Sequence, residues 1–371
     1  MLVKKWEALK LEYQLVLHLI QLYHPDISMI RKLLGMRLDW GDVLGILCFY
    51  RVAGVAYYTI QKCYPLPDRT NGDFLLSLQT IFEAQKIRTQ NMKRFIVQLA
   101  ENLNQCDINY AFLKGSFLSS VIYPLGCRMS NDVDILVDSK DLSRCSDLLK
   151  RLGFTQGFIF TGTIVEATRK EIVNQRLNYG EVVPFHKYVG EPGLNILSID
   201  VNFSLDETAL KTKDAAAVFL QNKISYCVNE FSNAVSLQIE YFLIHVCQHL
   251  FKEASVINWV EWQRDLSLYK FLDIYCLVEN NEIIIDWQRL ATIIKESGME
   301  KACYFALYNT QLLFPSLNNH KEYCHVIKQI EPTDKSYMNQ VVSFQEKHPL
   351  VWKENFLNRV FDLKRFNKLG E

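Results

Sequence analysis

Residues 109–137, NYAFLKGSFLSSVIYPLGCRMSNDVDILV, constrain the fold of this chain more than any other stretch. The apolar period changes twice within it. NYAFLKG (109–115) reads as a short strand ending at Gly115, SFLSSVIY (116–123) as a brief helix stopped by PLG, and VDILV (133–137) as a β-branched strand buried on both faces. Strand, small-residue turn, helix and second strand in so short a span require a mixed sheet with a helix packed on it. Asp132 and Asp134 head the second strand, and paired acids in an apolar setting need a physical reason.

Residues i and i+2 of a strand share a face, so the two carboxylates stand side by side. Such a pair is unfavourable unless a proton or a cation neutralises it. A hard divalent cation, Mg2+ or Mn2+, takes oxygen ligands and leaves room for substrate phosphates. The Lys114-Gly115-Ser116 turn lies at a strand-to-helix junction, where glycine allows close approach and free N–H groups attract phosphate. Asp200, inside the apolar ILSIDVNFSL, is a third displaced acid that reaches the same site if its strand lies beside 133–137. Two-metal phosphoryl transfer uses such a trio, with Asp200 helping to deprotonate the nucleophile and Asp132 and Asp134 bridging the ions. Lys114 and Arg128 can offset phosphate charge. Taken singly, Asp-Val-Asp also fits a solvated strand start and Gly-Ser an ordinary turn; their order and spacing favour a nucleotide–metal site.

Around this core the pattern is helical. LDWGDVLGILCFYRVAGVAYYTIQKC (38–63) is apolar nearly all round and predicts a buried helix, and YPLPDRTNGD (64–73) a loop. Residues 74–105 predict one long amphipathic helix with Leu78, Phe82, Met92, Phe95, Ile96, Leu99 and Leu103 as its stripe. A helix follows at 140–154 with Gly153 at its exit, and GEPG (190–193) joins two strands in a hairpin. From about residue 206 the helical period is expected to persist almost to the end. The fold class is α+β, a small mixed β-sheet with flanking helices. Its expected domains are an amino-terminal helical region (1–72), the core (73–206) and a carboxy-terminal helical region (207–371).

The 371 residues suffice for two or three domains. Formal net charge is zero, which argues against binding a long nucleic acid. The ten cysteines are scattered without a CxxC pair, so a zinc ribbon is not indicated. MLVKKWEALKLEYQLVLHLI carries charges through its apolar pattern and lacks a signal-peptide core, and no apolar run is long enough to span a bilayer. The expectation is a reduced, cytoplasmic protein away from the membrane.

KGS followed by R-x-x-x-D-V-D-I-L-V resembles the signature of the polymerase-β-type nucleotidyltransferase superfamily. LDWGDVLGILCFYRVAGV, SIDVNFSL, HVCQH, FLDIY and IDWQRL are similar to elements of one branch, the large bacterial nucleotidyltransferase family found beside natural-product biosynthesis genes. The resemblance covers roughly 38–300. It implies the minimal nucleotidyltransferase core and metal-dependent transfer from a nucleoside triphosphate (NTP). It gives Gly115 and Ser116 phosphate contacts, Asp132 and Asp134 metal ligation, and Asp200 the role of third acid. Where family members often carry His two residues past that acid, this chain has Asn202. The acceptor implied by analogy is a small metabolite or a modified peptide. A non-catalytic nucleotide-binding subunit and sugar or phosphate transfer from an activated donor are the alternatives.

Four further residues are candidates. His245 and His249 share a helix face and can line the cleft and touch phosphate or acceptor, or simply pack; no Glu follows the first, as the zinc-protease pattern requires. His186 in PFHKYV can face the cleft or be structural. Asp273 lies in an apolar helix and can cap or pair. The aromatics of 260–275 fit a core better than a base-stacking platform.

Overall fold

The computed structural model describes residues 6–178, 180–205, 215–343 and 348–370. The opening MLVKK and the expected boundary at 206–207 lie outside them. The chain divides into two compact units, one formed by Met1–Phe82 with Leu243–Glu371 and the other by Glu83–Phe242.

The second unit is built on an eight-stranded sheet: β1 (Tyr110–Phe112), β2 (Val133–Val137), β3 (Thr155–Phe160), β4 (Thr163–Glu166), β5 (Phe185–Glu191), β6 (Leu194–Asn202), β7 (Lys223–Asn229) and β8 (Ser232–Leu237). Their spatial order is β4-β3-β5-β6-β2-β1-β8-β7. β2 is buried at every position, as a central strand covered on both faces must be. β1 runs antiparallel to it, and β6 runs parallel. β5 and β6 form the hairpin expected around GEPG, with Gly193 at φ 72 in the turn.

The motif helix, Lys114–Val121, packs on β2 and β7, where Phe117 meets the rings of Tyr226 and Phe242. The helix Leu142–Arg151 buries Leu142, Cys145, Leu148 and Leu149, and Gly153 follows it in the left-handed conformation. The long helix spans Gly72–Gln105. Its expected stripe is buried except at Phe95, which is half-buried.

In the first unit the single helix expected over 38–63 is two, Trp40–Phe49 and Ala53–Gln61. Arg51 adopts a left-handed φ of 56 between them, and its N–H and that of Val52 close back on the carbonyls of Cys48 and Leu47. The carboxy-terminal helices include Ile239–Ser255, which begins in the second unit, and Leu268–Glu279, buried at every position but Tyr269. Arg365, itself buried, grips Asp265 through two nitrogens. The helical period does not run unbroken from 206. The β7–β8 hairpin completes the main sheet, and β9 (Gln340–Val341), β10 (Leu350–Trp352) and β11 (Leu369–Gly370) make a small sheet near the end. Among the described residues no helix is long and apolar enough to cross a membrane.

Candidate active site

The parallel pairing of β2 with β6 decides where the acids go. Val133 pairs with Ile199, Asp134 with Asp200 and Ile135 with Val201. Register partners on adjacent strands project to the same side of a sheet, so Asp134 and Asp200 share a face. Asp132, one residue before β2, alternates onto it as well. Asn202 reaches back from β6 to the Ile135 carbonyl at 3.5 Å.

Lys114 stands among these acids. Its Nζ donates to Asp134 Oδ1 at 2.8 Å, and Asp134 is buried. The backbone takes a left-handed φ of 41 at Lys114, directly after Leu113 N–H has bonded the Asp134 carbonyl. Burial draws the Lys114 pKa down, but the charge of Asp134 and its hydrogen bond, then Asp132 and Asp200, reverse this and leave it above the ordinary lysine value. Asp200 is pushed well above the usual carboxylate range, first by burial and then by the charges of Asp132 and Asp134, with Glu181 adding to them; Lys114 opposes the shift. One ammonium therefore faces several carboxylates, and negative charge is in excess.

The strand at 109–115 is shorter than expected and the helix starts earlier, at Lys114, so Gly115 and Ser116 occupy its first turn. A Cβ on Gly115 would land on the Oγ and Cβ of Ser130. Ser130 Oγ in turn donates to the carbonyl of Asp132 at 2.9 Å. Glycine at 115 thus lets the helix start close against the loop that carries the acids. Arg128 is buried in that loop and donates to the Met129 carbonyl.

Two residues not anticipated from sequence belong to this neighbourhood. Arg88, on the long helix, donates from Nε to the Ser130 carbonyl at 2.8 Å, from Nη2 to that of Asn131 at 3.3 Å and from Nη1 to that of Gly193 at 2.5 Å. It ties the loop before Asp132 to the turn before β6. Glu181 bridges to Asn202 through the backbone, accepts from Gln175 Nε2 at 2.9 Å and acts on Asp200. Its position directly after Gly180, opening EVVPFHKYV, was the only sequence signal.

The other candidates each have their own setting. His186 is buried with both ring nitrogens engaged, Nδ1 at 2.9 Å from Ser198 Oγ and Nε2 at 3.1 Å from the Gly157 carbonyl, so it stitches β6, β5 and β3 together. His245 and His249 sit on Ile239–Ser255 with rings stacked at 6.5 Å, and His249 Nε2 lies 3.2 Å from Glu253 Oε1. Both belong to the helical unit, as does the buried Asp273.

The chemistry of the acid trio fits a hard divalent cation, since crowded, partly buried carboxylates are what such an ion relieves. The oxygens are not already gathered into a cage: among the described residues no group of three or more His, Cys, Asp or Glu is arranged to hold a metal ion. The Lys114 ammonium, rather than a preformed pocket, is what meets Asp134.

No curated protein matches this chain. The crystal structure of an antigenic nucleotidyltransferase-like protein from Paracoccidioides brasiliensis is similar at 14% identity and a TM-score of 0.35, covering 64% of this chain and 92% of that one. The family described as uncharacterised nucleotidyltransferase matches residues 37–315, which include Lys114, Asp132, Asp134 and Asp200. Since that match takes in well over half of the 371 residues, this chain belongs to the uncharacterised nucleotidyltransferase family.

Proposed function

We propose that this nucleotidyltransferase moves a nucleoside monophosphate from an NTP to a hydroxyl of a small metabolite or modified peptide, with Asp132, Asp134 and Asp200 as its acidic centre. The reading is carried by the register of Asp134 with Asp200 across β2 and β6. The acceptor oxygen forms a bond to the α-phosphorus, the bond from that phosphorus to the β-bridging oxygen breaks, and pyrophosphate leaves. Asp200 takes the hydroxyl proton. Gly115 and Ser116 present the first turn of the motif helix to the phosphates, with Lys114 and Arg128 supplying positive charge. Asp132, Asp134 and Asp200 would hold Mg2+ or Mn2+, which when bound would neutralise charge at the phosphates. His245 and His249 are assigned contacts to phosphate or acceptor, and the setting is a cytoplasmic natural-product pathway.

The Lys114–Asp134 ion pair favours a second reading. A site whose cation is already a lysine side chain suits a nucleotide-binding subunit without turnover. Pyrophosphate release from each of the four NTPs, with Mg2+ or Mn2+ and a panel of hydroxylated metabolites and peptides, separates the two. Release that depends on acceptor and cation supports transfer. Calorimetric NTP binding with no release on any acceptor supports the subunit.

A further inference from the structure

Between the long helix and the motif helix lies a narrow cavity lined by Thr89, Lys93, Gly115, Ser116, Ser119 and Ser130, among others. Ser116 and Ser119 are 2% and 6% exposed, and the hydroxyl oxygens of both are buried without a hydrogen-bond partner among the described residues. Leaving a buried hydroxyl unsatisfied costs about 1–3 kcal/mol, and two on one helix call for an explanation. Lys93 is half-buried and makes no ion pair or hydrogen bond with the described residues. Burial alone lowers its pKa.

The dimensions narrow the occupant. The inner cavity holds about 10 Å³, room for one oxygen-sized group. Lys93 also lines an open groove of about 410 Å³ between the long helix and Asn229 at the tip of β7, with Gln90, Arg94, Gln98 and the carboxylate of Glu101. Lys93 thus borders both the inner cavity beside the serines and the open groove. Hydroxyl donors, an unpaired cation and the start of a helix all select negative charge on that oxygen-sized group.

We propose that Lys93, Ser116 and Ser119 form an oxyanion-binding site, taking either the phosphate tail of the donor or an anionic group of the acceptor. Its assignment to a substrate rests on the nucleotidyl-transfer reading; the binding itself does not. Calorimetry without divalent cations tests it, using inorganic tripolyphosphate in one arm and citrate in the other. Lys93→Met should weaken one of the two anions about tenfold, Lys93→Arg should restore it, and Ser119→Ala should weaken it several-fold. Loss in the tripolyphosphate arm assigns the donor tail, and loss in the citrate arm assigns the acceptor. If both variants fold with an unchanged or raised Tm and neither anion's affinity moves, the proposal is overturned and the inner cavity is a water site. Absence of pyrophosphate release in the wild type would count against nucleotidyl transfer and leave these binding results standing.

Discussion

Asp134 of β2 and Asp200 of β6 are register partners on adjacent parallel strands, and among the described residues Lys114 bonds Asp134 and not Asp200. The two acids are therefore energetically unequal. Asp134 is paired, while Asp200 is crowded by burial and by the charges of Asp132, Asp134 and Glu181.

Asp200→Asn should stabilise the protein in the absence of divalent cations. A carboxyl whose folded pKa lies above its ordinary 3.8 costs stability progressively as pH rises from that value through the folded pKa. Removing the charge should raise Tm at pH 7.5 by roughly 2 °C, with the gain vanishing below about pH 4. Added MgCl2 should raise the Tm of the wild type and leave that of the variant nearly unmoved. A variant less stable than wild type at pH 7.5 would show that the carboxylates do not repel as described.

Asp134 should behave in the opposite way. Removing its charge relieves repulsion between like charges but also strips Lys114 of its hydrogen-bonded partner. Asp134→Asn should cost about 1–2 kcal/mol, less than the full penalty for a deeply buried pair because Asp132 and Asp200 still face the ammonium. Lys114→Met, which leaves the acids uncompensated, should cost about 2–4 kcal/mol. The double variant should lose less than the sum, as measured by urea denaturation. Strict additivity would mean that the pair contributes no coupling.

The acids and the sheet centre were legible because each acid interrupts a run that is otherwise apolar, and because VDILV and ILSIDVNFSL are too β-branched for helices. The β7–β8 hairpin was not. Its turn is Glu230-Phe231, without Gly, Pro or Asn-Gly, and Phe231 is 92% exposed, so turn chemistry does not mark it, although KISYCVN alternates Ile224, Tyr226 and Val228 with polar or exposed positions. The break at Arg51 was hidden for a related reason, a left-handed residue that is not glycine. Arg88 bonds carbonyls more than forty positions away, and nothing local distinguishes it from other cations on an amphipathic helix.

Gly115→Ala tests how closely the motif helix must approach its neighbour. The added methyl meets Ser130, whose hydroxyl holds the Asp132 carbonyl, so the loop must move and carry Asp132 with it. Pyrophosphate release should fall at least tenfold while far-UV circular dichroism stays unchanged, since a displacement near 1 Å is enough for such a loss. Ser130→Gly in the same chain removes the opposing atoms and should recover part of the activity. A Gly115→Ala enzyme with wild-type turnover would mean that the contact does not set the loop.

Arg88 should act as a positioning residue, because its guanidinium touches three backbone carbonyls. Two of them, Ser130 and Asn131, immediately precede Asp132, and the third, Gly193, begins the turn into the strand that bears Asp200. Asn91 Nδ2 donates to the Pro192 carbonyl at 2.9 Å and Arg94 pairs with Glu191 at 2.6 Å, so the turn keeps its attachment to the long helix when Arg88 is changed. The loop at 130–131 loses both of its Arg88 bonds. Arg88→Lys retains charge but, with a single ammonium, cannot span all three acceptors. The expected result is a fall in kcat of about tenfold with little change in KM for the NTP, because the acids shift relative to a substrate that still binds. Arg88→Met should show the same kcat–KM split with a larger fall. A rise in KM with kcat unchanged would instead make Arg88 a substrate-binding residue, and unaltered kinetics in both variants would remove it from the site.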